Sequence, residues 1–152
     1  MGSLVLRAAR AGEEAELTEL ALRSKGHWGY SAEFLDACRP ELTVRPEQLA
    51  DILVAEPDGV LAGFRLLVVD GTHGELEALF VDPPFIGSGI GRLLMDEVLV
   101  TARARGVQTL ILDADPGAEA FYARFGARTT RLTPSGSIPG RSLPRMEWDL
   151  RE

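Results

Sequence analysis

The sequence predicts a mixed α/β, α+β-type fold: a twisted, mostly antiparallel sheet with helices on both faces. Three observations carry this. Apolar runs at 52–56, 60–70 and 75–81 are separated only by Pro57-Asp58-Gly59 and Gly71-Thr72-His73-Gly74, turn sequences short enough for antiparallel hairpins. The stretch 89–105 places Ile90, Leu93, Leu94, Val98, Leu99 and Ala102 on one helical face. A β-rich run at 109–112 follows it, so the strand runs end in one strand–helix–strand crossover, which adds a parallel pairing to the sheet.

Taken in order, Leu4-Val5-Leu6-Arg7 is a short strand, broken at Gly12. Residues 13–24 carry Ala15, Leu17, Leu20, Ala21 and Leu22 at roughly helical spacing. Glu13, Glu14 and Glu16 fill the first turn and Lys25-Gly26 follows the end, as the helix dipole and C-cap rules favour. His27-Trp28-Gly29-Tyr30 is a polar-aromatic loop. Ser31 is an N-cap for a second short helix to about Arg39, which Pro40 should stop. The three strands come next, and Pro83-Pro84 ends the third. Gly106 caps the long helix, and 118–125 is a short helix capped by Gly126. Residues 127–132 and 145–150 form a last antiparallel pair around a Pro-, Gly- and Ser-rich loop at 133–144.

No repeat, linker or low-complexity tract divides the 152 residues, which predicts one domain over 1–152 with a sizeable core. Sixteen Lys and Arg against 23 Asp and Glu give a net charge of −7. That balance argues against a general nucleic-acid binder and against a polybasic membrane patch. The single cysteine, Cys38, rules out an intrachain disulfide and suits a reducing compartment. Leu4-Val5-Leu6 before Arg7 is too short for a signal-peptide apolar region, Leu6 breaks the myristoylation pattern, and no run approaches a transmembrane span. A cytoplasmic soluble protein is the expectation.

The strongest local signal is Leu79-Phe80-Val81-Asp82-Pro83-Pro84-Phe85-Ile86-Gly87-Ser88-Gly89-Ile90-Gly91-Arg92-Leu93-Leu94: a strand feeds a glycine-rich turn that opens an amphipathic helix. Free amides and the dipole at a helix start attract anions, and glycines let them approach the backbone, so the turn suits a phosphate. The alternative is a helix start whose glycines serve packing alone. A Walker A loop fails because Gly91 is followed by Arg92-Leu93. The dinucleotide fingerprint fails because its third glycine falls on Arg92, although Asp113 sits where a ribose-binding acid would.

The order of elements resembles the GNAT superfamily, the GCN5-related N-acetyltransferases, over essentially the whole chain. Two motifs carry the resemblance. One is V-x-P-x-x-x-G-x-G-I-G-x-L-L from Val81 to Leu94, and the other is A-x-x-F-Y-x-x-x-G-A from Ala118 to Ala127. The H-W-G-Y loop resembles loops of small, single-domain bacterial-type members. The resemblance implies that the turn around Ile86, Gly87, Ser88, Gly89, Ile90, Gly91 and Arg92 holds the pyrophosphate of acetyl-CoA. It implies equally that Leu79, Phe80 and Val81 pair by their backbone with the pantetheine arm. Ile86 stands where the family has Gln or Arg, and Asp115 where it often has a cofactor-contacting Asn; a carboxylate cannot donate as an amide does.

Acetyl transfer to an amine needs a base for the amine, a donor for the oxyanion and a donor for the departing thiolate. Tyr122 matches the family tyrosine facing the CoA sulfur, which makes it the general acid; the alternative is a core tyrosine. Glu77 is the base by resemblance, with Glu75 as the weaker choice, and a surface carboxylate is the alternative. Alternation puts Glu75, Glu77, Leu79 and Val81 on one face. The oxyanion donor is expected to be an N–H near Leu79 or Phe80, freed if the strand bulges there. His27, Trp28 and Tyr30 fall where relatives build the acceptor wall, and Arg141 in the 133–144 loop can meet a substrate carboxylate. Plugging the gap between helices, and an ordinary loop arginine, are the respective alternatives.

The resemblance thus implies an acetyl-CoA-dependent N-acetyltransferase acting on a primary amine of a small molecule or protein by direct attack in a ternary complex. The alternative is a non-catalytic acyl-CoA-binding or sensing module. His27, His73 and Cys38 have no metal-ligand spacing, so no metal is expected. Ser88 lacks the glycines of a nucleophile elbow. The residues do not reveal an oligomeric state; dimers are common in the family, so a homodimer is an expectation by analogy alone.

Overall fold

Each short turn folds its apolar run back on the one before it, and the result is one seven-stranded sheet in the order β1-β2-β3-β4-β5-β7-β6. In the computed structural model, which describes residues 3–151, the strands are β1 (Leu4–Ala8), β2 (Ile52–Pro57), β3 (Gly63–Asp70), β4 (His73–Val81), β5 (Thr109–Asp113), β6 (Arg128–Pro134) and β7 (Ser142–Asp149). Met1, Gly2 and Glu152 of the expected domain lie outside the described residues. Among the described residues only the β4–β5 pairing is parallel, across the predicted crossover. The mixed, mostly antiparallel sheet is therefore as expected.

Helices cover both faces. Leu17, Leu20 and Ala21 of α1 (Glu14–Gly26) bury against Ile52, Val54, Phe64 and Leu66. On the other face Met95, Val98 and Ala102 of α3 (Ile90–Ala104) bury against Leu67, Leu76, Leu110 and Met146. Tyr122 of α4 (Glu119–Arg124) joins that second cluster. Arg65, only 5% exposed, donates from β3 to both carboxylate oxygens of Glu97 on α3, at 2.7 and 2.9 Å, and to the Asp51 carbonyl at 2.7 Å. Removing one partner of such a buried pair costs about 3–5 kcal/mol.

Several boundaries differ from expectation. Helix α1 runs through Gly26, and the left-handed glycine is Gly29, at φ +86°. Pro40 does not stop α2 (Ala32–Leu42), because in the last turn it forfeits a single backbone hydrogen bond. A 3-10 turn at Pro46–Asp51 was not anticipated. Val60, Leu61 and Ala62 lie outside β3, and β4 begins two residues early, at His73. The final hairpin zips further than expected, pairing Pro134 with Ser142, so its loop shrinks to 135–141.

The bulge also moves. Leu66 pairs with Ala78 but Leu67 with Leu76, which leaves Glu77 as the extra residue of β4. The predicted alternation breaks there. Leu76 and Leu79 pack on the α3 side, whereas Ala78 and Phe80 pack on the α1 side. Glu77 lies with Ala78 and Phe80 in a pocket walled by Glu41, Leu42 and Gln48.

Candidate active site

The sheet opens where its one parallel pair ends. β4 and β5 pair only at His73↔Thr109, Gly74↔Leu110 and Glu75↔Ile111, while β4 stays paired with β3 as far as Val81. Past Glu75, then, β4 has a free edge. The Asp82 N–H donates to the Ala62 carbonyl at 2.8 Å, which sets the phase of the ladder. Ala78, Phe80 and Asp82 turn their backbone groups toward β3; Leu79 and Val81 turn theirs into the opening. Of the three residues expected to offer backbone to an extended ligand, Leu79 and Val81 are so placed and Phe80 is not.

At the end of this edge the glycine turn enters α3. Gly87 and Gly89 have φ of +87° and +92°, a conformation that favours glycine, and a Cβ on either would project into open space. The amides of Gly87, Gly89, Ile90, Gly91 and Arg92 have no acceptor among the described residues. Those of Ile86 and Ser88 are used within the turn, donating to Pro83 and Phe85 carbonyls at 3.1 Å each. Ile86 is 46% exposed, and Arg92 is exposed with no ion pair among the described residues. The turn thus offers five amides with no acceptor among the described residues at the positive end of a 15-residue helix.

Tyr122 has a buried ring held edge-on to Phe121 and Trp148 at centroid distances of 5.2 and 6.1 Å. Its hydroxyl has no hydrogen-bond partner among the described residues, and no fully buried side-chain polar atom there lacks one. The hydroxyl therefore reaches the surface. Burial, with the nearby Asp115 charge, raises its pKa, so at neutral pH it is a protonated donor. Glu77, on the bulge, is exposed as a residue, yet protein atoms strip part of its carboxyl's hydration. That desolvation, reinforced by Glu75, raises its pKa above the ordinary carboxylate value.

Asp115 is a hub rather than a free carboxylate. It accepts from the Gly117 N–H at 2.9 Å, Lys25 Nζ at 3.1 Å, the Tyr30 hydroxyl at 2.9 Å and Arg141 Nη2 at 3.4 Å. Burial alone would raise its pKa, but the Gly117 amide, Lys25 and Tyr30 outweigh it and hold the carboxyl low. Tyr30 stacks on Phe34 at 4.2 Å and also accepts from Arg141 Nη2 at 2.7 Å. Trp28, 51% exposed, packs over Gly117, and His27 is exposed beside it.

Glu77 thus stands on β4 beside the opening, Asp115 and Tyr122 follow β5, and Asp115 draws Tyr30 and Arg141 to itself. Sequence reasoning read Lys25 only as a helix-end charge and passed over Phe34 and Glu41. Lys25 stands 90 positions from Asp115, a juxtaposition with no local signal.

Residues 15–127 match the model of the acetyltransferase (GNAT) family, and the chain belongs to that family. It is 33% identical over 132 residues to the peptidyl-lysine N-acetyltransferase YjaB of Escherichia coli strain K12, covering 82% of each chain. It spans about half or less of four other curated acetyltransferases that it matches, 28% to 54% of their lengths. It shares its fold with a PaiA N-acetyltransferase from Thermoplasma acidophilum in complex with coenzyme A, at TM-score 0.75 and 23% identity over 97% of this chain and 99% of that one. A GCN5-related N-acetyltransferase from Rhodopseudomonas palustris gives TM-score 0.80 and 24% identity over 97% and 96%. Among the described residues no helix is long and apolar enough to cross a membrane.

Proposed function

We propose that the chain, acting as one domain, transfers the acetyl group of acetyl-CoA to a primary amine of a small molecule or protein, by direct attack in a ternary complex. The observation that carries this is the free β4 edge running into five acceptorless amides. An extended amide-bearing arm followed by a pyrophosphate needs backbone pairing first and a cluster of N–H donors after it. Leu79 and Val81 serve the arm. Gly87, Gly89, Ile90, Gly91 and Arg92 serve the phosphates, and the open space at Gly87 and Gly89 lets them approach.

The thioester, once bound, supplies an activated acyl carbon. The rest falls to side chains and backbone. Glu77 takes the proton of the acceptor ammonium, a task helped by a carboxyl whose pKa is raised. The Leu79 N–H, facing the opening, is the donor for the developing oxyanion. A nitrogen–carbon bond forms, the carbon–sulfur bond breaks, Tyr122 gives its hydroxyl proton to the departing sulfur, and the surplus proton of the new amide nitrogen passes through solvent to the Tyr122 oxygen and restores the phenol. His27, Trp28 and Tyr30 wall the acceptor side.

Calorimetric titration with acetyl-CoA, using NAD as the control, tests the cofactor half. Saturable micromolar binding of acetyl-CoA alone is expected. No binding, or preference for NAD, overturns the reading. Binding without transfer to any amine would leave a non-catalytic acyl-CoA module.

A further inference from the structure

The cluster around Asp115 holds more donors than it can satisfy. Two cations, Lys25 and Arg141, share one carboxylate, whose two oxygens already serve Gly117 and Tyr30 as well. Lys25 uses one of its three N–H donors. Arg141 uses only Nη2; its Nε and Nη1 have no acceptor among the described residues. The other well-shielded guanidiniums behave differently: Arg7 and Arg65 each engage all three nitrogens. Side-chain exposures of 13% and 18% leave both cations largely shielded, yet no fully buried side-chain nitrogen among the described residues lacks a partner, so their unused donors reach solvent, where a ligand can meet them. Both cations also lie over the Tyr30–Phe34 stack, at 4.9 to 5.8 Å from the ring centroids, which fixes their position.

A pocket at the other end of α2 has the opposite sign. Glu77 and Glu41 lie in a pocket floored by Phe64, Leu66 and Phe80. Helix α2 connects the two ends: Phe34 sits at the cation pair and Glu41 at the acidic pocket, seven residues or about 10 Å of helix apart. The 135–141 loop spans them too, through Arg141 at one end and Ser137, 3.4 Å from Glu41, at the other.

We propose that the acceptor amine carries a separate carboxylate, which Lys25 and Arg141 bind while its ammonium faces Glu77. The inference rests on the transferase reading for the amine end, but the anion site stands on the unused donors alone. Phosphates of the cofactor are the rival occupant; the five amides of the glycine turn already suit those.

The test is calorimetric. The CoA-loaded protein is titrated with the common L-amino acids, with ω-amino acids from β-alanine to 6-aminohexanoate, and with the amide of each. At least one carboxylate should bind about tenfold or more tightly than its amide, the worth of a hydrogen-bonded charge. In Arg141→Gln that acid-to-amide ratio should collapse while the protein stays folded at the titration temperature and the CoA affinity holds. Amides binding as well as acids, or no acid binding at all, overturns the proposal. So does loss of CoA affinity in Arg141→Gln, which would assign the cations to the cofactor. Because binding is read without turnover, a carboxylate that binds but is never acetylated counts against the transferase reading alone.

Discussion

Tyr30 and Asp115, 85 positions apart, are joined by a hydrogen bond of 2.9 Å from the phenol to the carboxylate. This contact ties the loop after α1 to the turn that leads into α4, and so to Tyr122. Asp115→Asn strips the charge that holds Lys25 and Arg141, and a loss of about 1–3 kcal/mol of stability is expected. The pH dependence follows from the direction of the shift. A carboxyl held low in the folded state stabilises above its unfolded pKa of about 3.9, and loses that contribution as pH falls through the folded value. Denaturant melts of wild type and variant should therefore differ at pH 7, and the gap should narrow as pH falls below about 4. A gap that stays constant would contradict the assignment.

Tyr122→Phe separates chemistry from packing. Its hydroxyl has no hydrogen-bond partner among the described residues, so removing it should change stability by well under about 0.5 kcal/mol. Turnover should fall by about 100-fold or more, with the acetyl-CoA affinity within about twofold. Equal losses in rate and in affinity would relegate Tyr122 to a binding role.

Glu77 should set an acid limb in the kcat/KM profile at a pH above the ordinary carboxylate range. Burial is the main cause and Glu75 the second. Glu77→Gln should abolish the limb. Glu75→Gln should move it to lower pH, since removing a neighbouring negative charge eases ionisation of Glu77. A limb unmoved by either change would transfer the base to another group.

Gly89→Ala tests the turn. At φ +92° the methyl strains the backbone by about 1–2 kcal/mol, and it projects into open space rather than into protein. Thermal melts should register only that strain. Acetyl-CoA affinity should fall by about tenfold or more, because the methyl occupies the approach to the free amides. An affinity that follows stability alone would mean the turn is a packing device.

Much of this was legible in the chain, for local reasons. Pro57-Asp58-Gly59 makes its hairpin through residues next to one another, with Asp58 and Gly59 both at positive φ. The glycine turn and the Ser31 cap are equally local; Ser31 accepts from the Phe34 N–H as its position implied. What escaped depends on partners far away. The bulge falls at Glu77, not at Leu79 or Phe80, because the registers of β3 and β4 are set by which core each side chain enters. Asp115 looked like a weakened cofactor contact, whereas Lys25, Tyr30 and Arg141 meet on it from 90, 85 and 26 positions away.

Amine-dependent acyl transfer is measured most directly as release of free thiol from acetyl-CoA by the purified protein, with and without a panel of primary amines. Release should depend on the amine, saturate with both substrates and be nearly lost in Tyr122→Phe. Tight acetyl-CoA binding with no amine-stimulated release would contradict the transferase reading.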